Sequence, residues 1–211
     1  MKRNKFRLSF PQDEKKHIWL PLLINAYAIM DEGVYKDIEK QEKSGRKLAC
    51  RRGCSNCCET HRDIPVYPIE IVGIYWFIIE KVKEPLRSEI KKALIKHKKG
   101  DPCPFLINKA CSIYPMRPLA CRQFNVFGEP CKEGEDCFYT RINDVLKPSN
   151  NYLGKALYET TPFYGVFDDE EKVDFINSGK LNSLVKILQD YPWIELARRM
   201  SPEIADRKEM S

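Results

Sequence analysis

The sequence predicts a mainly α-helical protein built around a small, irregular, cysteine-rich centre that contains one short β-hairpin. Three observations carry this. All nine cysteines of the 211-residue chain lie between residues 50 and 137. On either side of that stretch apolar residues recur at three- and four-residue steps, as in helices with one buried face. A single segment, 103–113, switches to short apolar runs around a polar turn, the pattern of two paired strands.

Each element has its own signal. Ile18, Leu22, Ala26, Ile29 and Val34 predict one long helix over 17–43, with Asp13 as a capping candidate and Ser44-Gly45 as its stop. A cysteine-bearing loop, 50–60, follows. Pro68 at a first-turn position and Glu70 close behind it open a second, strongly apolar helix that runs to Lys83. Glu84-Pro85 breaks it, and 86–98 reads as an amphipathic, lysine-rich helix. Gly100-Asp101-Pro102 is a turn, and Phe105-Leu106-Ile107, Asn108-Lys109-Ala110 and Cys111 make the hairpin, whose turn lacks the usual glycine. Arg117-Pro118-Leu119 opens a short helical turn, 128–136 is a polar loop, and four helices are expected over 150–160, 169–177, 181–189 and 193–200. We read one domain over 1–211, with a metal-binding core at 48–137 and helical flanks at 1–47 and 138–211.

Composition narrows the function. Hydrophobic residues make up 43% of the chain, enough for a sizeable core, so metal is not needed merely to rescue a small scaffold. The net charge of +6 is spread along the chain, well short of a dedicated nucleic-acid binder. The apolar stretch 18–28 is too short to span a membrane, and no small-residue cleavage site follows it. The expectation is a cytoplasmic protein with no membrane segment, whose thiols stay reduced. An odd cysteine count also argues against a closed set of disulfides.

Four cysteines fall within nine residues, as Cys50-x3-Cys54-x2-Cys57-Cys58. Cys54 and Cys57 form a C-x-x-C bite that delivers two sulfurs to one metal, and Cys50 adds a third arm. Neighbours in sequence, Cys57 and Cys58 are poorly placed to serve one tetrahedral ion together. A further ligand has to come from Cys103, Cys111 or Cys121. All-sulfur ligation suits zinc and iron–sulfur clusters alike. Arg51, Arg52, Arg117 and Arg122 flank the thiols, where guanidinium groups offset thiolate charge or hold carbonyls. Cysteines serving as small buried hydrophobes fit this polar run poorly, though that reading competes evenly for Cys131 and Cys137.

With these residues in view, Cys50-x3-Cys54-x2-Cys57-Cys58, Cys103-Pro-Phe-Leu and Cys111-Ser-Ile-Tyr-x2-Arg-Pro-x2-Cys121-Arg-x-Phe resemble the YkgJ-type cysteine-cluster family over residues 48–127. The resemblance implies zinc or iron chelation, with Cys50, Cys54, Cys57, Cys58, Cys103, Cys111 and Cys121 as the metal ligands. Glu70 resembles a recurring acidic position of that family. The same cysteine pattern is shared with the larger flagellin lysine N-methylases, which implies methyl transfer or redox chemistry at an iron–sulfur cluster as an alternative. A structural zinc module that binds a protein partner is the other.

Cys50-x3-Cys54-x2-Cys57 also matches the radical S-adenosylmethionine spacing, but the strand–helix alternation of such enzymes does not follow it. No G-x-G-x-x-G follows a strand. His61 reads as an exposed loop histidine rather than a ligand. The lysines of 91–99 read as a solvated face rather than a nucleic-acid surface.

Overall fold

A computed structural model describes residues 5–51 and 53–200. The basic residues before Lys5 and the flanking Arg52 lie outside the described residues. In chain order the helices and strands are α1 (Pro11–Lys16), α2 (Trp19–Lys43), α3 (Asn56–Thr60), β1 (Pro65–Val66), α4 (Pro68–Glu80), α5 (Leu86–Lys96), β2 (Leu106–Ile107), β3 (Ala110–Cys111), α6 (Leu119–Gln123), α7 (Cys137–Thr140), α8 (Asn150–Thr160), α9 (Asp169–Asn177), β4 (Lys186–Ile187) and α10 (Ile194–Arg199). The protein is mainly α with a minor β part, as the sequence predicts.

Two apolar cores share α4, which is apolar on every side. One gathers Leu20, Leu23, Ile24, Tyr27 and Met30 of α2 with Ile69, Trp76, Met116, Leu119, Phe127 and Leu157. The other sets Ile71, Ile74 and Ile78 of α4 against Ile90 and Leu94 of α5, Phe105, Trp193 and Leu196. Strand β1 pairs antiparallel with β4, and β2 with β3. The β2–β3 turn is made by Asn108 and Lys109, both at positive φ (50° and 57°). Two left-handed residues in succession give the twist a two-residue hairpin needs, and Asn tolerates that region better than most residues.

Several expectations change in detail. The first long helix starts at Trp19 rather than His17, a short helix that the pattern did not show precedes it, and Asp13 lies in that short helix, its carboxylate paired at 2.6 Å with Lys81 just after α4. The 50–60 segment is a loop only as far as Ser55, after which α3 begins. Residues 181–189 do not form a helix. A short 3-10 turn, Asn182–Leu184, leads into β4, because Val66 and Ile187 find partners across chain distances that local periodicity does not register. The helices at 150–160 and 169–177 stand where the pattern put them, and α4 opens at Pro68 as expected but ends at Glu80, three residues before Lys83.

Candidate metal centre

The cysteine lobe is assembled from four stretches of chain. Leu48 bridges to Phe127, Val126 bridges to Val145, and Ala49 N–H donates to the Val126 carbonyl at 2.8 Å. That small ladder carries Cys50. A turn closed by Cys54 N–H on the Arg51 carbonyl (3.1 Å), with Gly53 at φ 83°, leads into α3, which carries Cys57 and Cys58. Consecutive residues on a helix are turned about 100° apart. Cys57 therefore faces the surface cleft, while Cys58 packs beneath it among Ile64, Ile113 and Cys103 of the second core. Cys103 N–H donates to the Cys58 carbonyl at 2.9 Å, which ties the hairpin segment to α3. Edge-on packing of Phe105 against Trp193, 4.8 Å between ring centres, anchors that segment from below.

A cleft of about 680 Å³ runs across the lobe, and six of its lining residues are Cys50, Cys54, Cys57, Cys111, Cys121 and Cys131. Arg117 lines it too, its guanidinium 4.4 Å from the Tyr114 ring centre. Among the described residues its buried Nε has no hydrogen-bond partner. Five of the seven sequence-predicted ligands thus meet on this cleft. The other two, Cys58 and Cys103, lie together behind it.

Electrostatics favour the thiol form at Cys50, Cys57, Cys58, Cys111 and Cys121. Cys57 donates toward Cys58, and this contact followed by burial drives Cys57 far above the ordinary thiol range. Contact with Cys103 pushes Cys58 up to about 12. Burial first, then the thiols of Cys57, Cys58 and Cys111, raise Cys121, and burial raises Cys111. For Cys50 burial again leads, partly offset by the Val126 N–H, 3.2 Å from its sulfur. Crowded neutral thiols of this kind lack only a cation to become thiolates, since metal binding and proton release are one equilibrium. Among the described residues, no three His, Cys, Asp or Glu side chains are already gathered to hold one ion. Donor chemistry, the shared cleft and the orphaned Arg117 nitrogen nevertheless fit a thiolate-bound centre.

Two flanking residues have other work. Arg122 is buried and reaches away from the sulfurs. It pairs with Asp31 of α2 at 2.6 Å, donates to the carbonyls of Arg117 (2.9 Å) and Pro115 (2.6 Å), and stacks 3.8 Å from the Tyr27 ring centre. Glu70 is a buried joint, not a ligand. Its two oxygens accept from Tyr67 N–H at 2.9 Å and Leu119 N–H at 2.7 Å, so it clasps the start of α4 to the start of α6, the helix that carries Cys121. Burial pushes its carboxyl up to about 7 against the pull of those N–H groups. His61, expected to be exposed, is half-buried edge-on against Phe124, ring centres 4.4 Å apart, with Asp136 at 3.5 Å; burial lowers its basicity.

Sequence reasoning left Cys131 and Cys137 undecided and missed Arg141. The structure sets Cys131 and Cys137 3.2 Å apart, sulfur to sulfur, and brings Arg141 Nη2 to 3.3 Å from the Cys137 sulfur. Nothing in the local spacing announces this. The loop is brought in by Asn56 of α3, whose side-chain amide donates to the Glu135 carbonyl at 2.7 Å across 79 residues.

A model of the CxxCxxCC family, described as a "putative zinc- or iron-chelating domain", matches residues 49–144. This segment is a CxxCxxCC domain. The match extends past residue 127, where the sequence resemblance ends, and takes in Cys131, Cys137 and Arg141. No curated protein and no solved structure matches the chain at a significant level. No helix among the described residues is long and apolar enough to cross a membrane.

Proposed function

We propose that this protein binds a metal, zinc or an iron–sulfur cluster, through Cys50, Cys54, Cys57, Cys58, Cys103, Cys111 and Cys121, and that it does so in the cytoplasm, where thiols stay reduced. One observation carries the reading: six cysteines and an unpartnered arginine nitrogen share one cleft in the CxxCxxCC domain. Bound there, zinc would supply a structural cross-link and an iron–sulfur cluster would supply electron transfer. The Val126 N–H at the Cys50 sulfur and the Arg117 guanidinium would offset thiolate charge. A second reading, a cluster-dependent transferase or redox enzyme, is favoured by the openness of the cleft. Cys54 is exposed, and a catalytic centre needs an approachable position whereas a structural one is closed.

Elemental analysis of the full chain purified without oxygen tests this. Stoichiometric zinc in a colourless protein identifies a zinc centre, and iron with sulfide in a brown protein identifies a cluster. Repeated preparations that hold neither, and that take up neither on reconstitution, overturn the proposal.

A further inference from the structure

The nine cysteines differ in what packs around them. Cys131 and Cys137 sit with Cys50 around Val126 and Val145, in a small apolar cluster separate from the two main cores. Cys58 and Cys103 lie deeper still, against the second core. We propose that Cys50, Cys54, Cys131 and Cys137 form a metal site of their own, a four-thiolate centre of the zinc type, distinct from the centre served by Cys57, Cys58, Cys103, Cys111 and Cys121.

The spacing suits this division. Cys50-x3-Cys54 has the spacing common to paired cysteines in structural zinc sites, and Cys131-x5-Cys137 supplies a second, slightly longer arm. Around a zinc ion with bonds of about 2.3 Å, sulfurs stand about 3.8 Å apart. Cys131 and Cys137, at 3.2 Å, need to open only slightly to admit an ion between them. Cys54 and Cys131 also line a second opening together with Ser55, Asn56 and Glu59. That opening gives the ion a way in which does not cross the Cys111–Cys121 wall.

The surroundings are built for sulfur anions. Val126 N–H points at the Cys50 sulfur from 3.2 Å, and Arg141 Nη2 points at the Cys137 sulfur from 3.3 Å. Arg141 is held in place by Glu135 Oε1 at 2.9 Å, Asp144 Oδ2 at 3.0 Å and the Glu129 carbonyl at 3.1 Å. A guanidinium fixed on three sides and aimed at a sulfur is the outer-shell arrangement that orients and neutralises a ligating thiolate. Were Cys137 only a small core residue, it would not need a fastened cation.

The inference rests on metal binding by the CxxCxxCC domain, and the experiment separates the two. Metal-free full chain is titrated with zinc without oxygen, and unprotected thiols are alkylated and located by mass spectrometry. Cys50, Cys54, Cys131 and Cys137 are expected to become protected together, at a different zinc equivalent from Cys57, Cys111 and Cys121. In parallel, the Cys131→Ser/Cys137→Ser protein should lose about one metal equivalent and keep the other, and Cys111→Ser/Cys121→Ser should do the reverse. If Cys131 and Cys137 alkylate freely at saturating zinc, or are joined as a disulfide in the zinc-loaded protein, the second centre is overturned while metal binding by the domain stands. Protection of all nine thiols in one step overturns the division into two centres. No protection anywhere overturns metal binding itself. Because alkylation uses the unaltered chain, the answer does not depend on the variants folding.

Discussion

Between α2 and α8 the contact is apolar and close, whereas the segments that carry the cysteines meet through backbone hydrogen bonds, ion pairs and sulfur. At Gly33 of α2 a β-carbon would fall 2.3 Å from Cγ of Tyr152 in α8, so the missing side chain is what lets the two helices approach. Leu20, Leu23, Ile24 and Met30 behind it are fully buried. The cysteine lobe has only Val126, Cys137 and Val145 as a buried cluster of its own. Its loops are fastened by single contacts such as Asn56 to Glu135 and Cys103 to Cys58. The frame draws its stability from area removed from water, and the lobe depends on polar geometry that a bound metal would complete.

The largest test attacks the frame. Leu23→Ala leaves a hole under α4 and is expected to cost about 2–5 kcal/mol in urea unfolding, while the molecules still folded keep their full metal content. Equal loss of metal and stability would mean that the two regions are one cooperative unit.

The next acts on the joint between them. Folded Glu70 titrates near 7, against an ordinary value of 4.5. Between those limits the folded state holds more of the proton, so this group's contribution to stability falls as pH rises from about 4.5 to about 7. Glu70→Gln keeps one acceptor oxygen and turns an amide toward the other N–H. It is expected to cost about 1–3 kcal/mol at pH 5, and the cost should shrink toward pH 8. Denaturant midpoints of both proteins across that range check this, and a cost that does not change with pH refutes it.

The smallest works inside the lobe. Lys109 stands at φ 57° in the hairpin turn beside Cys111. Lys109→Gly removes a left-handed β-carbon and is expected to stabilise the protein by about 1 kcal/mol. Thermal melting checks the direction, and a lowered midpoint would mean that the lysine side chain does more for the lobe than its backbone costs.

How far these features were legible depends on how local their causes are. Pro68 and Glu70 announced α4 because both act within one helical turn. Asn150–Thr160 announced itself by periodicity. Cys54 and Cys57 stood out because a chelating bite is a matter of three residues. The β1–β4 pair was invisible because Pro65 and Ile187 are joined by tertiary packing, and strands of two residues carry no period. Cys137 was undecided for the same reason: its neighbours Cys50 and Arg141 reach it only through the fold. Arg122 was expected to serve the sulfurs or nearby carbonyls. The carbonyls proved right, with Asp31 as the partner that sequence distance concealed.

The pairing of α2 with α8 also sets an order of events during synthesis. Cys50 through Cys137 are encoded between the two helices, so every thiol leaves the ribosome before residues 150–160 do. The frame cannot shut until α8 arrives, and by then the whole donor set is already outside. The sulfurs therefore come first and the pairing of the two helices second in the life of the nascent chain. A cell short of metal at that moment would produce a closed frame around unfilled thiols.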